Sequence, residues 1–201
     1  MTGIDAYLDR LASADPTPGG GSAATLVGAL GAALCAMVAR ITGGNDRYVS
    51  VRAEALAIVA AADALREQFA AARPLDEAAY ERVVAASALP RSTDEQKRAR
   101  TAALQSALIG AAEDPLAACG LSAEGIALAE RANALGNTHL ASDVECALQF
   151  FRAALAASVA NVRINHHFIK DTAIVGAQEE RVAAIVDAAS AALRRLLPSL
   201  P

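Results

Sequence analysis

The chain has 201 residues, of which 54% are hydrophobic and only 3% aromatic, and its formal net charge is −4. That hydrophobic content excludes a disordered chain, and the negative charge argues against nucleic acid as the main partner. About a quarter of the residues are alanine, the best helix former and a filler of little volume, so the composition predicts closely packed helices. Few large side chains remain to stabilise a lone subunit, so a contact between subunits is also expected.

Ile4, Tyr7, Leu8 and Leu11 share one helical face and predict a short first helix. Asp15-Pro16-Thr17-Pro18-Gly19-Gly20-Gly21 reads as a loop, after which Ser22 caps a second helix reaching about Thr42. Gly43-Gly44-Asn45-Asp46 ends it. A long helix is predicted from about Tyr48 to Ala72, broken by Pro74, with a shorter one from Asp76 to Leu89 stopped by Pro90. Ser92-Thr93-Asp94-Glu95 has capping-box spacing and opens a helix to about Glu113, and Asp114-Pro115 restarts the chain to about Leu135. Gly136-Asn137 closes that helix. A second capping box, Ser142-Asp143-Val144-Glu145, opens a helix with apolar residues at Val144, Leu148, Phe151, Leu155, Val159 and Val162. A last helix runs from about Gln178 to Leu196. No stretch alternates with period two. The expected fold is therefore all-α, a single-domain multi-helix bundle over residues 1–201 that dimerises through long helices.

The N-terminus has neither the basic start nor the apolar run of a signal peptide, and Cys35, Cys119 and Cys146 form no CxxC. The expectation is a cytoplasmic protein with reduced, buried thiols. Ser22 to Ala39 carries no charge, but it is built of Ala and Gly rather than Leu and Ile, so a buried core helix is favoured over a membrane span. Ala24, Gly28, Ala32 and Ala36 recur every four residues there and predict close helix packing. Histidine occurs only at His139, His166 and His167, without HExxH or a Cys/His cluster, so no metal is expected.

Four groups of residues are candidates for chemistry. Gly19, Gly20, Gly21 and Ser22 precede a helix start, where the backbone can approach a ligand and free N–H groups favour an anion or a carbonyl oxygen. Asn137, Ser142 and Asp143 join a helix end to a helix start; for Asp143 alone, complementing the helix dipole explains the residue slightly better. Asp143, Ala147, Ala154, Ser158, Asn161 and Asn165 fall near one helical face, equally a groove lining or a solvated face. Asp76 and Tyr80, four apart, share another face, although capping alone accounts for the aspartate.

Together these motifs resemble a known family. PTPGGGSAA (16–24), GALGAALCAMVARIT (28–42), Tyr48, DEAAY (76–80), LPR (89–91), GN (136–137), SD (142–143) and NVRIN (161–165) arrive in the order of the formiminotetrahydrofolate cyclodeaminase / methenyltetrahydrofolate cyclohydrolase family. Arg91 stands where the family more often has Lys, His139 is unexpected between the GN and SD elements, and Thr25 replaces a small apolar residue. The resemblance implies a dimeric helical bundle binding a tetrahydrofolate derivative, with no cofactor beyond that substrate. It implies conversion of 5-formimino-tetrahydrofolate to 5,10-methenyl-tetrahydrofolate plus ammonia, or alternatively opening of the methenyl form to 10-formyl-tetrahydrofolate. A non-catalytic folate-binding or dimerisation module is the remaining alternative. Asp143 first and Asp76 second are the expected acid/base or cation-stabilising groups. Asn137, Asn161 and Asn165 are expected on the pterin, the Gly19–Ser22 loop on the pterin or the glutamate, and Arg91 on the glutamate carboxylates.

Overall fold

Six α-helices joined by short turns make up nearly all of the computed structural model, which describes residues 3–197, and no strand occurs among those residues. The helices are α1 (Ile4–Leu11), α2 (Gly20–Gly43), α3 (Arg52–Ser87), α4 (Asp94–Ala134), α5 (Ala141–His166) and α6 (Thr172–Leu196). Single 3-10 turns at Asp46–Val51 and Thr138–Leu140 lead into α3 and α5. The central helix is α2, which packs on α3, α4 and α5, while α6 leans on α4. Its 24 residues are long and apolar enough to cross a membrane, yet over half of its most apolar window is buried inside the bundle.

The core shows why alanine and glycine recur on α2. Phe69 of α3 and Phe151 of α5 are the largest fully buried side chains, and their rings stack 6.4 Å apart. Each ring occupies the space that a side chain on a glycine would need. A Cβ on Gly28 would lie 2.4 Å from Phe69 Cε1, and one on Gly125 would lie 2.2 Å from Phe151 Cε1. Gly125→Ala is therefore expected to force a buried ring aside and destabilise the fold by about 1–3 kcal/mol. Gly120 is also inside α4, but no atom lies within 4 Å of its would-be Cβ. Gly120→Ala should stabilise by about 0.5–1 kcal/mol. Thermal or urea unfolding of the two variants checks the opposite signs.

Pro74 and Pro115, expected at helix boundaries, lie inside α3 and α4, whereas Pro90 does fall beyond the end of α3. Proline removes one N–H and so orphans the carbonyl four residues earlier. For Pro74 that carbonyl belongs to Ala70, which is exposed and so open to solvent. Pro115 is buried, and the orphan carbonyl of Ala111 accepts instead from Asn165 Nδ2 of α5 at 3.2 Å. The gap in the α4 hydrogen-bond ladder is thus filled from a neighbouring helix.

Several predicted caps shift. Gly19, not Ser22, is the N-cap of α2. The first capping box is Thr93 with Gln96, one residue beyond the Ser92–Glu95 reading. Ser142 caps nothing, because the chain enters α5 directly from the 3-10 turn before it. The last helix starts at Thr172, earlier than expected, where the Asp171 carboxylate accepts from the N–H groups of Ala173 and Ile174. Burial pushes the Cys35 and Cys119 thiols up to about 12, whereas Cys146 is exposed, against the expectation of three buried thiols.

Candidate active site

The N-terminus of α2 has no side-chain cap of its own. A carboxylate from another helix supplies one: Asp76, inside α3, accepts a hydrogen bond from the Ser22 backbone N–H. Asp76 therefore does not cap its own helix, as the sequence suggested, but α2. Gly21 makes the approach possible, because a Cβ there would lie 2.1 Å from Asp76 Oδ1. Gly19 and Gly20 face no such demand: their Cβ atoms would meet Pro16 O at 3.8 Å and Asn161 Nδ2 at 3.6 Å, ordinary contact distances. Neither the cap Gly19 nor its two successors adopts positive φ.

Ser22 is buried and turned away from the solvent. Its hydroxyl lies 3.0 Å from Tyr7 Oη and 3.4 Å from Glu77 Oε1, and Arg10 holds the other oxygen of Glu77 at 3.2 Å. This polar knot locks α1 and the glycine-rich turn against α3.

On the open side of the turn lies a cleft of about 310 Å³, within the range that small-molecule sites occupy. Thr17, Gly19–Gly21, Asp76, Tyr80, Asn161 and Asn165 line it, with Val83, Leu108, Ile164 and Phe168 as apolar walls. The two asparagines are oriented by the helix backbone. Asn161 Nδ2 donates to Ala157 O at 2.8 Å, and Asn165 Nδ2 donates to Ala111 O and to Asn161 O at 3.2 and 2.9 Å. With their NH₂ groups so engaged, both present an Oδ1 acceptor that makes no hydrogen bond among the described residues. Burial raises the Asp76 carboxyl above the ordinary aspartate range; the Ser22 N–H lowers it, and the nearby charges of Asp114 and Glu77 raise it further. A carboxyl with a raised pKa in an apolar-walled cleft has the signature of a proton-transfer group.

The sequence profile described as Formiminotransferase-cyclodeaminase matches residues 3–184. The chain belongs to that family. Methenyltetrahydrofolate cyclohydrolase of Methylorubrum extorquens is 40% identical over 89% of this chain and 85% of its own length. Formimidoyltransferase-cyclodeaminase of Rattus norvegicus is 29% identical over 98% of this chain, which spans only 36% of that longer protein. Among solved structures, formiminotetrahydrofolate cyclodeaminase of Thermotoga maritima superposes with a TM-score of 0.86 at 27% identity, covering 98% of this chain and 96% of that one. The chain is an enzyme of folate one-carbon chemistry within the formiminotransferase-cyclodeaminase family.

The family motifs do not meet at one place in a single subunit. Gly19–Ser22, Asp76, Tyr80, Asn161 and Asn165 gather at the N-terminal end of α2. Asn137 lies at its other end, where its Nδ2 donates to Thr42 Oγ1 at 3.0 Å and its Oδ1 accepts from Tyr48 Oη at 3.3 Å. Ser142 and Asp143 begin α5 nearby, close to a small pocket of about 80 Å³ that Asn137 and Thr138 line. The two groups sit at opposite ends of the 24-residue α2, which is roughly 36 Å long. Between them Ala147, Ala154 and Ser158 are buried in helix packing, so that stretch of the α5 face is neither an open groove nor a solvated surface. Arg91 is exposed in the turn before α4 and is not among the residues lining the cleft. Asp114, which the sequence reading passed over as a helix cap, lies beside the cleft; its adjacency to Pro115 inside an apolar run was the available signal.

Proposed function

We propose that the chain is a methenyltetrahydrofolate cyclohydrolase, opening 5,10-methenyl-tetrahydrofolate to 10-formyl-tetrahydrofolate. This reverses the order in which the sequence alone ranked the two activities. The observation that carries it is the 40% identity to the Methylorubrum extorquens cyclohydrolase across 85% of that protein, against 27–29% for the cyclodeaminases described above.

The cleft geometry suits that chemistry. The Oδ1 atoms of Asn161 and Asn165 match the N–H donors of a pterin edge, and Tyr80 and Phe168 offer flat apolar contact. Water adds to the methenyl carbon, which is cationic, and loses a proton as the carbon becomes tetrahedral. The bond to N5 then breaks, N5 gains a proton, and the oxygen becomes the formyl carbonyl; one proton is released overall. Asp76 is placed to take the proton from the attacking water and return one to N5. Its charged form also favours the cationic carbon.

The reading is tested by absorbance at the methenyl-tetrahydrofolate band. Accelerated loss of supplied methenyl-tetrahydrofolate over a buffer control supports it. The second reading, cyclodeaminase, is favoured by the near-complete superposition on the Thermotoga maritima structure. It requires the band to grow from 5-formimino-tetrahydrofolate with release of ammonia. If neither substrate turns over while a folate-binding assay is positive, the chain is a folate-binding module without this chemistry.

We further propose that the active form is a soluble cytoplasmic homodimer. Leu26, Leu30, Ala33, Met37 and Ile41 form one half-buried to exposed face of α2 that is wholly apolar, where a solvated helix would carry Lys and Glu. Val49 and Leu56 extend the apolar surface. A two-fold axis across the middle of this face sets two copies of α2 antiparallel. The end bearing Asn137 and Asp143 in one subunit would then face the cleft of the other. Asp143 keeps its expected part in the chemistry on this reading. Asp76→Asn and Asp143→Asn chains, each inactive alone, should recover about a quarter of the activity per site when mixed and reassociated, because half of the dimers then carry one site free of either substitution. Mixed samples that stay as inactive as the separate variants would rule out a site shared between subunits.

A further inference from the structure

Asp114 has no part in the proposed reaction as described so far, yet its surroundings are unusual. It lies inside α4 immediately before Pro115, and its Oδ2 is buried without a hydrogen-bond partner. The nearest counter-charge, Arg82 on α3, stays 3.5 Å away and is largely exposed. Asp114 and Asp76 line the same small cavity, together with Gly21, Thr25, Pro115 and Ser158. That cavity holds about 10 Å³, roughly the room of one water molecule. The turn that carries Asp114 is fixed in place, because Asn165 satisfies the Ala111 carbonyl that Pro115 orphans.

Two carboxylates facing one small, partly buried space do not both ionise freely; such pairs titrate as a unit. We propose that Asp114 is a positioning residue that shares one proton with Asp76 across this cavity and so sets the protonation state of the group that moves protons in the cleft. The inference rests on the reading of Asp76 as that group. Asp114 itself touches no part of the cleft that a substrate would enter.

The other charges around the pair are accounted for. Glu77, beside Asp76 on α3, is held by Arg10 of α1. Glu113, beside Asp114 on α4, is held by Arg181 and Gln178 of α6. The helix α2 has no charged residue at this end, and Arg163 of α5 pairs with Glu179. Burial raises both aspartates. The charges of Asp114 and Glu77 raise Asp76 further, whereas for Asp114 the Arg82 guanidinium lowers and Glu113 raises.

The test is the titration of Asp76 by carbon NMR of aspartate-labelled protein, assigned by its loss in Asp76→Asn. In Asp114→Asn the Asp76 titration should move to lower pH, and the acid limb of the kcat/KM profile should move with it. The weaker base should also lower the plateau of kcat/KM by about tenfold. Arg82→Gln, a surface change that spares the core, removes the cation that holds Asp114 ionised. Asp114 then stays neutral over more of the Asp76 titration, which should move to lower pH, as in Asp114→Asn. Unchanged Asp76 titration in both variants would overturn the proposal. If Asp114→Asn does not fold, the Arg82→Gln shift decides alone. A wild-type protein that turns over neither folate substrate would sink the functional reading, while the NMR titration would still decide whether the two carboxyls are coupled.

Discussion

Replacing Asp76 with asparagine is expected to lower kcat by about 10²–10⁴-fold, the usual worth of a positioned acid/base group, while the helical fold survives. The amide oxygen can still accept from the Ser22 N–H, so the cap on α2 remains. Stability should move the other way from activity. A carboxyl whose pKa is raised by folding binds its proton more tightly in the native state than in the unfolded chain. The native state is then relatively favoured at low pH and loses that advantage as pH rises through the folded-state value. Once Asp76 ionises, the wild-type chain bears a half-buried charge facing Asp114, and Asp76→Asn does not. The variant should unfold at a Tm equal to or above that of the wild type at pH 7. The difference should vanish below the unfolded-state value of about 3.9. A variant that melts well below the wild type at pH 7 would mean that Asp76 serves the fold more than the chemistry.

Gly21→Ala should be nearly as damaging to turnover, for a purely steric reason. The added Cβ would sit within 2.7 Å of three Asp76 carboxyl atoms. The carboxylate must leave its bond to Ser22 and its place in the cleft. A displacement of about 1 Å at a reacting group costs roughly 10²-fold in rate. Because alanine suits a helix better than glycine, overall stability should change by no more than about 1 kcal/mol. Gly19→Ala and Gly20→Ala add a methyl at ordinary contact distance and should retain turnover within about threefold. Steady-state kinetics on the three variants separate one glycine required by a neighbour from two that are not. Equal losses in all three would show that the turn needs glycine throughout.

The sequence carried the all-helical class, the central alanine-rich helix and most helix ends, since each rests on local rules of propensity, periodicity and capping. What it misplaced depended on neighbours. Pro74 and Pro115 read as breaks because the local rule counts a lost N–H, and nothing local reveals that one freed carbonyl would be open to solvent and the other met by Asn165. Ser92–Glu95 and Thr93–Gln96 fit the same capping pattern, and only the structure chooses between them. Asp171 was a readable cap ahead of the last helix. The candidate site was legible as a set of residues but not as a place. Asp143 and Asn161 lie on one helix and seemed to belong together, yet eighteen helical residues span about 27 Å. That arithmetic was available from the sequence. Asp76 capping a different helix, and Asp114 meeting it across a cavity, were not, because both are contacts between elements distant in the chain.

The repair at Pro115 has a consequence for how the protein is assembled. A backbone bond that a helix makes for itself exists as soon as the helix does. The bond to Ala111 O exists only once α5 has docked and delivered the Asn165 amide. Until then α4 is two helical rods joined at a weak joint, free to sample other angles. Docking of α5 therefore completes the core around Phe151, closes that joint and aims Asp114 in one event. The α4 and α5 walls of the cleft are thus set together, in the same docking step.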